Sequence, residues 1–210
     1  RLATLAPTSS NMQLWEAYHV TDPGKLAEMA HACLDQGSAK SCKQMVVFVT
    51  RQDKWKAHAK AVLKAGIEEI NQNSPEDRKA HRIALQKKYY GKLMPFTYKR
   101  CLGLLGLLRK VIVQIVGLFR PIVRQVTEAD ERTVVHKSCA LAVQTFMLAM
   151  SEQGYDTCPL EGFDSLLVKK ALGLPHASGI NMVITCGVRL PDGVWGDRYR
   201  QPFSETYHRI

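Results

Sequence analysis

Two short apolar runs, one towards each end of the chain, most constrain what it can fold into. QMVVFV (residues 44–49) and INMVITCGV (180–188) are rich in β-branched residues and carry no charge. Both read as buried strands. A third strand is expected at Ala17–Val20, behind the turn-rich stretch 6–16. Helical spacing fills much of the rest. It is clear over 24–34, where Leu26, Met29, Ala30 and Cys33 share a face, and over 53–70. A long helix should open at Thr127-Glu128-Ala129-Asp130 and end at Gly154, and a shorter one should run over 165–172. Ser74 is expected to cap a helix that starts after Asn73-Ser74-Pro75-Glu76. Residues 154–164 read as a turn, and the tail as polar loop. This order implies an α+β fold or a three-layer α/β/α sandwich, in one domain spanning 1–210.

Charge is distributed unevenly. The chain has 210 residues and a formal net charge of +10. Residues 78–127 contain twelve Lys or Arg and no Asp or Glu, while the other 160 residues hold 17 bases and 19 acids. A helical insertion over about 78–124 is therefore both basic and apolar. Its most hydrophobic part, CLGLLGLLRKVIVQIVGLFRPIV (101–123), is broken by Arg109, Lys110 and Pro121. Two short helices are expected there, not a membrane span. Two roles are open for the insertion. Its apolar residues can be dimer core and pocket cover with a solvated basic rim, or it can touch an anionic membrane surface. No nucleic-acid-binding module is recognisable, and basic charge alone does not make one.

Six cysteines, none in CxxC spacing, suit a reducing compartment. A cytoplasmic location is expected, with the inner face of the membrane as the variant that the basic insertion allows. No basic-then-apolar leader opens the sequence, and no Cys/His grouping has metal-ligand spacing.

Three short motifs carry chemistry. Pro7-Thr8-Ser9-Ser10-Asn11-Met12-Gln13 crowds hydroxyls and amides into one turn. Such a turn can bind a phosphate or a heterocycle edge, or simply satisfy its own backbone. Pro159-Leu160-Glu161-Gly162 follows the long helix. Its glycine would let a flat ligand approach the backbone, and a plain Pro/Gly turn is the alternative. Arg198-Tyr199-Arg200-Gln201-Pro202 puts two guanidinium groups at i and i+2. In extended backbone they share a side and can grip a phosphate, or they belong to a solvated tail.

In this order, APTSSNMQLWE, GYDTCPLEGFD and INMVITCG followed by RYRQP resemble the nitroreductase family of FMN flavoproteins. The resemblance spans nearly the whole chain apart from the basic insertion. It implies a homodimer with FMN at the subunit interface. Pro7, Thr8, Ser9 and Asn11 would contact the FMN of the partner's site. Pro159, Leu160, Glu161 and Gly162 would lie over the isoalloxazine ring, Gln36 would face its pyrimidine edge, and Arg198 and Arg200 would hold the phosphate. Lys137 and Ser138 occupy a place where some members touch the flavin. Leu14 stands where the family usually has Pro. The resemblance also implies an Arg-Arg-Ser-x-Arg motif on an earlier helix. Only six residues precede Pro7 and the first is Arg1, not Met, so that segment is expected ahead of this sequence in the native chain.

The implied activity is ping-pong oxidoreduction. NADH or NADPH reduces the flavin at N5, and an electron-poor nitroaromatic, quinone or enone takes the electrons. No protein nucleophile is needed, so Glu161 is a flavin contact first and only a candidate acid or base. The alternatives are another flavin reaction on the same fold, such as dehalogenation or flavin fragmentation, or a non-catalytic flavin- or membrane-binding protein.

Overall fold

The computed structural model describes residues 1–194 and 196–210. Its sheet holds β1 (Trp15–Val20), β2 (Gln44–Thr50), β3 (Asp156–Leu160) and β4 (Gly179–Gly187) in the order β1-β2-β4-β3. Every pair is antiparallel. The two strands most legible in the sequence are thus the two central ones. They pair with each other across most of the chain's length, and each needs apolar cover on both faces.

Alternation along β2 supplies two faces. Met45, Val47 and Val49 point to one side, where they meet Met29, Ala32 and Cys33 of α1 (Pro23–Ala32) and its cap, and Val168 of α8 (Ser165–Ala171). α2 (Gly37–Ser41) adds Ala39 to the same layer. Val46 and Phe48 point the other way, with Ile184 and Cys186 of β4. There they meet Cys139, Ala142 and Val143 of α7 (Glu128–Glu152). The result is the expected α/β/α sandwich.

The helix ends follow local rules. Asp22 and Asp164 accept N–H bonds at the starts of α1 and α8. Thr127 and Asp130 form a reciprocal capping box on α7, and Gly154 ends that helix with φ 77°.

Three local expectations are corrected. Ser74 does not cap α4 (Glu76–Lys88); its hydroxyl accepts from Arg82, 2.8 Å away, and Pro75 opens the helix. Residues 156–160 are not a turn but strand β3, which is paired on one side only. Residues 101–123 form one helix, α6 (Leu104–Val116), because Gly117 and Pro121 end the regular backbone.

α6 also has its apolar residues outside. Arg109 is buried at 2% exposure, beside Gly106 and Val113. Its guanidinium donates to the carbonyls of Lys99 and Val126 and lies 5.7 Å from the Phe96 ring. Gly106 lets the helix sit against α7, since a Cβ there would lie 2.8 Å from the Glu128 nitrogen. Leu107, Leu108, Val111 and Ile115 consequently face outward.

An ion network ties the chain's start to the sheet. Arg51, at the end of β2, bonds Glu16 at 2.6 Å and Asp53 at 2.8 Å, and Lys54 also bonds Glu16. Burial alone would raise the Glu16 carboxyl. Hydrogen bonds from Lys54, Tyr18 and Arg51 overcome it and bring the group down to about 2.

Two predictions follow from this packing. Phe48 stacks between Trp15 and Phe146, with ring centroids 5.9 and 5.6 Å away. Phe48→Ala should cost about 3–5 kcal/mol in denaturant unfolding; a loss near zero would contradict a core at that position. Glu16 has a depressed carboxyl, so its contribution is present above its ordinary value and is lost as pH falls. Glu16→Gln should cost about 1–3 kcal/mol at neutral pH. That deficit should shrink from pH 4.5 down to about 2. A deficit independent of pH across that window would contradict the network.

Candidate functional site

The serine turn sits where the chain enters β1. Ser10, Asn11 and Gln13 adopt left-handed backbone, with φ of 53°, 52° and 48°. Non-glycine residues hold such angles only when their surroundings impose them. Those surroundings are visible here. The Gln13 N–H donates to the Thr8 hydroxyl at 3.0 Å, and the Ser9 N–H donates to the Ser138 hydroxyl of α7 at 3.1 Å. The Tyr90 hydroxyl donates to the Ser10 carbonyl at 2.9 Å, and the Tyr89 and Ser10 hydroxyls are 2.8 Å apart. His58, on α3 (Trp55–Asn73), bonds the Met12 carbonyl at 2.8 Å. Met12 and Leu14 are buried beneath, with Met94, Tyr98 and Val135. Leu14 therefore serves as core where the family pattern has Pro.

Tyr89 and Tyr90 belong to a π-helical turn, Tyr89–Leu93, between α4 and α5 (Met94–Tyr98). With Ser10, Leu85, Lys88 and Phe96 they line an open pocket of about 760 Å³. Aromatic walls and lysines meet there beside the serine turn.

The second cluster forms at the far end of α1. The Gln36 amide donates to the Gly162 carbonyl at 2.6 Å and to the Cys33 carbonyl at 2.9 Å. Leu34 and Asp35 have positive φ, which turns the chain sharply enough to bring Gln36 there. The Asp164 N–H donates to the Ala32 carbonyl at 2.7 Å, so the loop after β3 is fastened to α1 twice. Leu160 is buried, while Pro159, Glu161 and Gly162 are exposed along the open edge of the sheet. Proline is tolerated at an edge because no ladder partner needs its N–H.

The residues singled out in the sequence thus fall into two groups. Thr8, Ser9 and Asn11 lie in the strained turn after Pro7, next to Ser138, and Lys137 is exposed beside it on α7. Gln36 and Gly162 touch, with Pro159, Leu160 and Glu161 alongside. Arg198 and Arg200 join neither group. Both are exposed in the tail, and Arg200 donates to the Tyr199 carbonyl at 2.7 Å. Sequence reasoning missed Tyr89, Tyr90 and Phe96. The only signal was their place in the basic, apolar insertion. Among the described residues no group of His, Cys, Asp and Glu could hold a metal ion.

Comparison with known proteins bears on the family and the fold. A sequence model of the Nitroreductase family matches residues 1–188. MhqN of Bacillus subtilis, which is named as an NAD(P)H nitroreductase, is 33% identical over 78 residues. That match covers 37% of this chain and 38% of MhqN, so the curated relative is matched over little more than a third of its length. The ydfN structure from Bacillus subtilis, described as a nitroreductase, superposes with a TM-score of 0.70 at 19% identity, covering 100% of this chain and 84% of that one. A nitroreductase structure from Exiguobacterium sibiricum, in complex with FMN, gives a TM-score of 0.62 at 16% identity, covering 100% and 82%. The two structures share the fold, and the family model extends over both clusters; the chain belongs to the nitroreductase family.

Proposed function

We propose that the chain is an FMN-dependent oxidoreductase that works as a homodimer, taking electrons from NAD(P)H and passing them to an electron-poor small molecule. The observation that carries this reading is the exposed Pro159–Gly162 edge held by Gln36. Gly162 leaves open backbone on that edge, and any side chain there would reach 3.4 Å from the Gln36 amide. A flat ring with a polar rim fits such an edge, so these residues suit the flavin. FMN, once bound, supplies two-electron hydride chemistry at N5.

In this reading the protein's own groups bind and orient. Pro159, Leu160, Glu161 and Gly162 would lie over the isoalloxazine ring, and the Gln36 amide would face its pyrimidine edge. The serine turn of a second copy, with Pro7, Thr8, Ser9 and Asn11, would close the other side. Arg198 and Arg200 would hold the phosphate from the tail. Glu161 acts through its backbone, which leaves its side chain free of any required proton transfer.

Two features support the dimer. The serine turn and the Gln36–Gly162 pair have no bond between them within one chain among the described residues. Apolar side chains of α7, Leu141 and Leu148, and of the tail, Phe203 and Tyr207, are exposed. α7 is long and apolar enough to cross a membrane by length and composition, with mean hydropathy 1.2 over its apolar stretch. Its inner face packs on the sheet, so a second copy is the occupant we assign to its outer face.

The pocket beside the serine turn supports a planar acceptor such as a nitroaromatic, quinone or enone, which Tyr89, Tyr90 and Phe96 would stack against. The outward leucines and valines of α6, flanked by bases, support a further peripheral contact with an anionic membrane. Vesicles rich in phosphatidylglycerol should bring the protein down on centrifugation, and Leu107→Ser with Ile115→Ser should abolish this. Equal sedimentation of that double variant would refute the contact.

The direct test is the visible spectrum of the purified protein. Flavin absorbance that bleaches anaerobically with NADH or NADPH, and returns on adding a quinone, is the expected result. Gln36→Ala should raise the dissociation constant for FMN about tenfold. A colourless protein that FMN cannot reconstitute would overturn the proposal.

A further inference from the structure

At the end of the sheet where Thr50 pairs with Gly179 there is a second cavity, of about 540 Å³. Arg100, Arg132 and Lys169 line it, and no Asp or Glu does. The three bases come from separate elements: the loop after α5, the exposed side of α7, and α8. Three bases that line one cavity without a carboxylate favour an anion there; the Lys169 ammonium also donates to the His176 carbonyl at 3.0 Å. Burial holds the Arg100 guanidinium below its ordinary value; Glu128 opposes that drop and Arg132 adds to it. Glu128 is already engaged with the Cys101 N–H at 3.0 Å.

The unsatisfied groups at this end of the sheet tell the same story. Gln52 lines the cavity at 7% exposure. Its Oε1 accepts from Arg100, and its Nε2 is buried with no acceptor. Behind Gly179 lies His136. The Asn181 amide donates to its Nδ1 at 3.1 Å, which leaves the proton on Nε2, and Nε2 is also buried without an acceptor. Burial, with Arg132 adding to it, lowers this histidine, so the ring is neutral and donates through that nitrogen alone. Neither His136 nor Asn181, whose Oδ1 is also buried without a partner, lines the cavity itself. A buried donor without an acceptor is rare. Gln52 Nε2 is such a donor in the wall of a cationic cavity, and an anionic oxygen is what it lacks.

We propose that this cavity binds the phosphate of a phosphomonoester. A single carboxylate would leave two of the three bases unmatched. A phosphate dianion has three terminal oxygens and accepts from two guanidinium groups and an ammonium together. The cavity is larger than a phosphate alone, so the ester's body also enters it. Thr50 and Ser178 donate their hydroxyl protons to the carbonyls of Gly179 and Pro175, and keep lone pairs for hydroxyls on that body. A phosphorylated polyol matches this chemistry. Arg198 and Arg200 are assigned the phosphate of FMN and do not line this cavity, so the ester here is a separate phosphorylated metabolite.

Calorimetric titration of the purified chain with inorganic phosphate, FMN and riboflavin tests the site. Phosphate should bind, and Arg132→Gln should weaken it about tenfold. Lys169→Gln should act in the same direction. Arg132 is exposed, so its variant should melt like the parent. If phosphate competes with FMN, and riboflavin binds more weakly than FMN, the flavin's own phosphate occupies the site and the proposal of a separate ester is overturned. If phosphate binds without disturbing FMN, a separate phosphomonoester occupies it. Absence of phosphate binding, or binding unchanged in both folded variants, overturns the proposal even where FMN still binds. Phosphate binding in a protein that takes up no flavin would leave this site standing and remove the oxidoreductase reading instead.

Discussion

Strand β2 must be covered on both faces. Met45, Val47 and Val49 need one apolar layer, and Val46 and Phe48 need another. Burial at roughly 25 cal/mol per Å² makes such a strand strongly favourable only when both layers are present. β4 shares the requirement, and the two lie side by side. The helices are arranged around this demand: α1 and α8 answer on one side, α7 on the other. Both candidate clusters lie where those layers end. The serine turn rides on α7, and Gln36 follows α1. The sandwich thus separates the two groups and gives each a firm base.

That separation has a chemical meaning. Within one chain, neither cluster surrounds anything. The strained turn offers hydroxyls and backbone, and the Gln36–Gly162 edge offers an amide and open peptide groups. If a ligand bridges the two clusters of separate copies, as proposed, binding and assembly are thermodynamically linked. The polar cavity by Thr50 differs in kind. Its bases come from one chain, and the unsatisfied Gln52 donor is already in its wall.

Much of this was legible in the sequence, for identifiable reasons. β2 and β4 announced themselves because a strand buried on both faces must be apolar at consecutive positions. β3 was hidden because an edge strand with exposed Asp156, Cys158 and Pro159 has no such pattern. The motifs marked both clusters, since Ser9 and Gly162 sit in short runs of characteristic residue types, although Gln36 and Gly162 meet across 126 positions. Their supports were invisible: Tyr89, Tyr90 and Ser138 are 79, 80 and 129 positions from their partners in the turn. The orientation of α6 was equally hidden. LLGLLRKVIVQIV is apolar nearly all round, so periodicity could not choose a face. Free carbonyls of Lys99 and Val126 chose it, by taking in Arg109.

The π-helical turn has a consequence for how this protein can diversify. Tyr89 and Tyr90 face two ways: their rings wall the open pocket, and their hydroxyls pin a left-handed backbone at Ser10. A lineage that altered those rings to admit a new molecule would also release the turn. Change is cheaper at Leu85, Lys88 and Phe96, which shape the same pocket and hold nothing at Ser10. Specificity can therefore drift along one wall, while the wall that carries the two hydroxyls is kept fixed by the backbone it restrains.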